Sequence, residues 1–470
     1  MEFFYIRALR RFFLLSLLTL SLGVQTKSVL ATEKPTILRL TQTAQPQATA
    51  KARAGYRQEE LRQIRPEYYD LGHYPVTNSN EDYWRNRLWT TAIVEPQEAY
   101  VANALNKIVA LTQQSGLSES QMRTIEMAMQ VGTQLYLSNP AIYASLKQQF
   151  LQTIERSNDS EWVAIALSGL AKGDTSPQQL RQLVDRTRAR FPGWSPDLVL
   201  RTTLQDVAES LSPTPMPPLK DLLNWTIRPG QLHIYVICAL PHQVLCRAVL
   251  KGRDGKFVQT PVAGKPAQLW SVPLLLSSIH GLSWNLFRGQ SPQGIYRIEG
   301  TTSPDPETFR AYGQFPLVNL FLPFETGVDK FLPGQKGPFT GSIRDYQALL
   351  PPSWRGYSPM EQSYWAGLIG RSLFRIHGSG ESPDYFSRQN SKDSHNWNPT
   401  LGCLSALERY DEAGVLQQAD MPKILNALTA AGGKNFTGYL IMVEMPHLSE
   451  PISLKEIEAA VQPRYLTLIH

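Results

Sequence analysis

The sequence predicts an α+β multidomain chain: an N-terminal all-α helical bundle or short solenoid, then a β-rich domain with a large proline-rich insertion. Three observations carry this. Apolar residues recur at helical spacing up to about residue 211, four prolines fall within 212–218, and beyond them β-branched and aromatic runs replace the helical spacing. At 470 residues the chain also exceeds one ordinary domain of about 100 to 200 residues.

Residues 1–31 read as a signal peptide. Arg7, Arg10 and Arg11 precede an apolar run from Phe12 to Val24, and Val29-Leu30-Ala31 supplies small residues at a cleavage point. That run of 13 residues is short of the roughly 20 that span a bilayer, which favours cleavage after Ala31 over retention as an N-terminal anchor. Export then places the protein in the periplasm or cell wall, an oxidising setting. The piece carries four basic residues and one acidic residue, a net +3 of the chain's +6. The remainder is weakly basic and has no basic block interleaved with aromatics, so no nucleic acid is expected as partner.

Residues 32–55 lack an apolar period and read as a flexible leader; 56–211 read as the α-helical domain. From Glu95 to Gln114, the residues Ala99, Ala102, Leu105, Ile108, Val109 and Leu111 form one stripe. Ser118 with Gln121 is a capping box for a helix carrying Met122, Ile125, Met129 and Leu135. Trp162, Ile165, Ala166 and Leu170 form another stripe. Ser176-Pro177 with Gln179 opens a further helix, and Ser195-Pro196 repeats that start for the segment ending near Leu211. This region shows no titratable cluster and reads as scaffold, with its surface open to a protein partner.

Residues 212–224 read as a stiff proline-rich linker, and 225–447 as the β-rich domain. Its first strands are placed at 232–237, 244–250 and 256–262, with Gly252-Arg253-Asp254-Gly255 as a hairpin turn. Cys238 and Cys246 lie across a short connection and are expected to form a local disulfide; two buried thiols are the competing reading, and Cys403 is left as the odd cysteine. Strands resume between Leu269 and Glu299, where Ser291-Pro292-Gln293-Gly294-Ile295-Tyr296 forms a turn into a strand. Residues 301–358 are punctuated by prolines yet rich in phenylalanine, which suggests a packed cover over a site. Met421 to Ala431, or else Ala406 to Gln418, supplies a helix, Gly438 to Val443 a closing strand, and 448–470 a C-terminal tail.

The chemistry concentrates near the end. Leu373-Phe374-Arg375-Ile376 reads as a strand that delivers His377 at its end, and Thr400-Leu401-Gly402-Cys403-Leu404-Ser405 presents a cysteine after a glycine. A thiol is mostly protonated at neutral pH, so an imidazole that takes its proton converts Cys403 into a nucleophile with His377 as general base and acid. Gly402 lets the backbone approach a carbonyl, so the amides of Gly402 and Cys403 are candidate oxyanion donors. The competing reading is a metal site using His377, His395 and Cys403 with Glu381 or Asp384. The close ligand pairs usual in structural zinc sites do not occur, so no metal and no cofactor are expected. His280, in a second Ile-His-Gly triplet, reads as structural.

From about Trp225 to Glu444, a little under half the chain, the sequence resembles the L,D-transpeptidase (YkuD-like) catalytic domain of bacterial cell-wall enzymes. Ser291-Pro292-Gln293-Gly294-Ile295-Tyr296 is similar to that family's early turn, His377-Gly378 to its histidine element, and Thr400-Leu401-Gly402-Cys403 to its nucleophile element. The resemblance implies an L,D-transpeptidase that acts on peptidoglycan stem peptides through a Cys403 acyl-enzyme, by cross-linking or by carboxypeptidase trimming. It also implies a backbone carbonyl at Gly378 as the orienter of His377. Three departures stand out. Leu401 replaces a second histidine, Ser405 replaces an Arg or Asn, and His377 and Cys403 are 26 positions apart, longer than the family's usual interval. Substrate contacts are therefore assigned to Thr400, Ser405, Arg375 and His395, with Arg388 or Arg409 as other cations for the substrate carboxylate. The competing functional reading is a non-catalytic wall-binding or scaffold protein with a degenerate transpeptidase domain.

Overall fold

The computed structural model describes residues 43–240, 244–379, 397–446, 448–461 and 466–468. The expected signal peptide therefore lies outside the described residues, as do His395, Glu381, Asp384 and Arg388. Among the described residues no helix is long and apolar enough to cross a membrane.

The N-terminal region is helical: α1 (Ala50–Arg62), α2 (Glu81–Val94), α3 (Ala99–Ala110), α4 (Glu119–Ser138), α5 (Pro140–Arg156), α6 (Ser160–Lys172), α7 (Pro177–Arg190) and α8 (Leu198–Leu211). Ser118 and Ser176 cap α4 and α7 through reciprocal boxes with Gln121 and Gln179. The start of α8 falls later than Ser195-Pro196 suggests, because the Asp197 carboxylate accepts from Leu200 N–H at 3.0 Å and so sets the cap. The leader reading fails from residue 43 onward. Gln45 N–H donates to the Gly414 carbonyl at 2.8 Å, and Thr49 caps α1, whose Ala, Gln, Glu and Arg residues favour helix without any apolar stripe.

The expected linker is also packed structure. It holds α9 (Leu219–Leu223), whose Leu222 and Leu223 are buried, and Trp354 Nε1–H donates to the Pro218 carbonyl at 3.2 Å.

Beyond it lies a mixed sheet with β1 (Leu232–Ala239), β2 (Cys246–Lys251), β3 (Phe257–Val262), β4 (Lys265–Leu269), β5 (Ser271–Leu274), β6 (Gly294–Thr302), β7 (Leu317–Phe321), β8 (Phe374–His377) and β9 (Leu404–Ser405). A hairpin, β10 (Glu408–Tyr410) with β11 (Leu416–Ala419), occupies the segment that was one of the two helix candidates. The helices of this part are α10 (Phe309–Tyr312), α11 (Ile343–Gln347), α12 (Gln362–Ile369), α13 (Met421–Gly432) and α14 (Leu454–Ala460), and β12 (Thr437–Met445) and β13 (Leu466–Leu468) complete the strands. The main path runs β13-β3-β2-β1-β12-β6-β7-β8-β9, with β4 paired to β3 and β5 to β2. The strand expected to close the domain, β12, is central, parallel to β1 and antiparallel to β6. The C-terminal tail adds α14 and an edge strand, β13.

Both sheet faces are covered. Leu232, Ile234 and Val236 on β1 pack with Ile424, Leu425 and Leu428 of α13, while Tyr235 and Ile237 pack with Phe331, Phe339, Tyr346 and Trp354. The proline-rich 301–358 segment is thus partly cover and partly sheet: β7 sits between β6 and β8, and the phenylalanines beyond it fill the second face. Cys238 and Cys246 form a disulfide at the end of the β1–β2 pair. The described residues make one compact unit. Ile279, Leu282 and Leu286, from the segment between β5 and β6, are buried within the helical core itself.

Candidate active site

The pairing of β8 with β9 brings the histidine and cysteine segments side by side. β8 and β9 are parallel, with Ile376 opposite Leu404 and His377 opposite Ser405. Phe374, Ile376 and Leu404 point into the core shared with α13. By alternation Arg375, His377 and Ser405 face the other way, and Cys403, in the bend just before β9, sets its Sγ against the backbone of Leu373 and Arg375.

The nucleophile turn is fixed from several directions. Thr400 Oγ1 donates to the Cys403 carbonyl at 2.7 Å and accepts from Gly402 N–H at 3.1 Å. Ser291 Oγ donates to the Gly402 carbonyl at 2.8 Å, so the Ser291–Tyr296 turn braces Cys403 directly. Gly402 has φ +119°, and a Cβ there would lie 2.7 Å from Arg371 Nη2 and 2.9 Å from the Gly289 carbonyl. Arg371 is buried and donates to the carbonyls of Trp284, Gln290 and Gly289, which ties the turn to the 284–290 loop.

His377 Nδ1 lies 2.6 Å from the Gly378 carbonyl. A carbonyl only accepts, so Nδ1 carries the hydrogen and Nε2 the lone pair. The Tyr312 ring of α10 meets the His377 ring edge-on at a centroid distance of 4.9 Å. Glu408 closes the other side: its carboxylate occupies the space a Cβ on Gly378 would take, so a larger residue there would have to displace it.

Cys403 is half-buried and free, and its Sγ–H donates to the Leu373 carbonyl at 3.7 Å. Burial pushes the thiol up to about 11; the Arg375 backbone N–H and the charges of Arg375 and Arg371 pull it down, and Glu325 adds to the rise. Burial also pushes His377 down to about 4, against the pull of the Gly378 carbonyl. Near neutral pH the thiol and the imidazole are therefore both uncharged.

Several expected roles change. The Gly402 amide is already engaged by Thr400, which leaves it committed within the turn instead of open to an oxyanion. The Thr400 hydroxyl is likewise engaged, so its part is to shape the turn. Ser405 is fully buried and its hydroxyl has no partner, so it does not line an open surface. Arg375 and the buried Arg371 are the cations beside Cys403; Arg409 pairs with Gln418 on the separate β10–β11 hairpin. His280 is buried against α4, its Nδ1 3.0 Å from Gln134 Oε1. Among the described residues no group of three or more His, Cys, Asp or Glu is placed to hold a metal. Tyr312, Glu325, Arg371 and Glu408 surround the pair without any sequence signal, since each arrives from a different segment.

Comparison with protein-family models, curated proteins and solved structures returns no significant match to this chain.

Proposed function

We propose that the protein is an exported cysteine acyltransferase of the L,D-transpeptidase type, acting on peptidoglycan stem peptides. The observation that carries the reading is the β8–β9 pairing, which brings the His377 and Cys403 segments side by side, with the imidazole held by the Gly378 carbonyl and Nε2 left as base. In the reaction, Nε2 takes the Cys403 proton and the sulfur attacks the carbonyl of the third-position diamino acid. The tetrahedral intermediate collapses as the imidazolium protonates the departing D-alanine amine, which leaves a thioester. The amine of a second stem, or water, then attacks the thioester, loses its proton to His377 and restores the thiol. Arg375 meets the substrate's carboxylate, the role that Ser405 leaves unfilled. The N-terminal signal supplies export, and no cofactor takes part.

The committed Gly402 amide and the neutral resting thiol favour one rival, a wall-binding scaffold with a degenerate site. Incubation with a carbapenem, which acylates enzymes of this type, separates the two by intact mass. One adduct on the wild type and none on Cys403→Ala supports the enzyme. No adduct, or the same adduct on Cys403→Ala, establishes the scaffold. A disaccharide tetrapeptide in the same assay should release D-alanine.

A further inference from the structure

We propose that Glu325 is a positioning residue for the nucleophile: its carboxylate holds Leu373 in a left-handed conformation that turns the Leu373 carbonyl onto the Cys403 thiol. The inference rests on Cys403 being the reactive group.

The geometry begins with two strained turns. Leu373, just before β8, has φ +67° and Phe324, just after β7, has φ +68°. Branched and aromatic side chains rarely occupy this region, and such residues persist only where their surroundings hold them. Glu325 touches both turns. Its Oε1 accepts from Leu373 N–H at 2.9 Å and its Oε2 from Leu322 N–H at 2.9 Å, so one carboxylate bridges the end of β7 to the start of β8. Glu325 is only 7% exposed, whereas Leu373 is 42% exposed, so a packed interior does not hold Leu373 in place. The anchored peptide presents its carbonyl to Sγ at 3.7 Å.

Two effects on the sulfur follow. A hydrogen bond from S–H to a carbonyl favours the thiol over the thiolate, and a nearby carboxylate acts in the same direction. The groups facing Cys403 are Arg375 on β8, Arg371 ahead of that strand, Tyr312 from α10, Tyr296 on β6 and Glu325 itself. The two arginines favour the thiolate, and Glu325 is the carboxylate that opposes them. Burial raises Glu325 to about 7, tempered by the Leu373 and Leu322 N–H groups and by Arg375. In this arrangement burial keeps the thiol protonated, and Glu325 adds to that while holding the Leu373 carbonyl against it until a substrate enters.

The rate of Cys403 alkylation by iodoacetamide, followed by intact mass after brief exposures from about pH 7 to about pH 12 on the full chain, tests this directly. Glu325→Gln keeps an oxygen for the Leu373 N–H but removes the charge, and should move the midpoint of the rate profile down. Glu325→Leu also releases Leu373 and should move it further. A Glu325→Gln protein with the wild-type midpoint overturns the proposal, and so does a folded Glu325→Leu protein that matches Glu325→Gln. If Glu325→Leu does not fold, the Gln variant alone decides. A wild-type Cys403 that resists alkylation at every pH sinks the nucleophile reading and this inference with it. A normal wild-type profile without carbapenem adduct removes only the proposed function.

Discussion

Gly402→Ala tests whether the nucleophile turn depends on backbone shape. At φ +119° an alanine sits where L side chains rarely go, a strain of about 1–3 kcal/mol. The added methyl would also come within 2.7 Å of Arg371 Nη2 and 2.9 Å of the Gly289 carbonyl, the two partners of an existing 2.9 Å hydrogen bond. Weakening a hydrogen bond to a charged, buried donor costs about 1.5–3 kcal/mol. Together the loss is about 4 kcal/mol, a large share of a stability of about 5–15 kcal/mol, so the variant remains folded with a narrow margin. Urea unfolding followed by tryptophan fluorescence gives the loss, and the carbapenem acylation rate reports the displaced Cys403. Ser291→Ala provides the scale, since it removes one neutral bond to the Gly402 carbonyl and should cost about 1 kcal/mol. A Gly402→Ala protein that loses less than Ser291→Ala and acylates at the wild-type rate would refute the reasoning.

Two further outcomes are expected. Burial holds the Glu408 carboxyl up to about 8, while Tyr410 and the Gln314 N–H pull it down. Its folded pKa is above the unfolded value of about 4.3, so its contribution to stability is full below about pH 4 and is lost as pH rises through about 8. Relative to Glu408→Gln, the wild-type melting temperature should therefore fall across that window; a constant difference would contradict it. Asn285 is fully buried and its Nδ2 donates to Val199 O, Thr202 Oγ1 and Thr203 Oγ1 at 3.1, 3.0 and 2.7 Å. Asn285→Ala strands these α8 groups and should cost about 2–4 kcal/mol in denaturant unfolding. It should also slow acylation, and wild-type behaviour in both assays would detach the helical region from the site.

Local signals were legible where they act locally. Ser118 with Gln121 and Ser176 with Gln179 fixed two helix starts, and Phe374 to His377 reads as a strand because its alternation survives in isolation. What escaped depended on distant partners. Leu317–Phe321 is a five-residue strand between Pro316 and Pro323, and only its pairing with β6 and β8 distinguishes it from a loop. The centrality of β12 follows from a parallel pairing with β1 about 200 positions upstream, which no local pattern encodes. At the site, His377 and Cys403 announce themselves by residue type. Glu325 reaches Leu373 across 48 positions, and neither residue looks unusual in the sequence.

The proline-rich 212–218 segment suggested two separable domains, yet the nucleophile turn is built from both. Ile279, Leu282 and Leu286 are buried among the helices, and Ser283 and Asn285 bond to Ser168 and to α8. The same segment supplies the carbonyls of Trp284, Gly289 and Gln290 that Arg371 grips, while Ile279 N–H donates to the Thr400 carbonyl at 2.8 Å. Arg371 in turn occupies the space that Gly402 leaves open. A shift of the helices therefore reaches Cys403 through one loop and one guanidinium, with no flexible link between. Among the described residues, the eight α-helices of the N-terminal region thus support the 279–290 segment that braces the Cys403 turn.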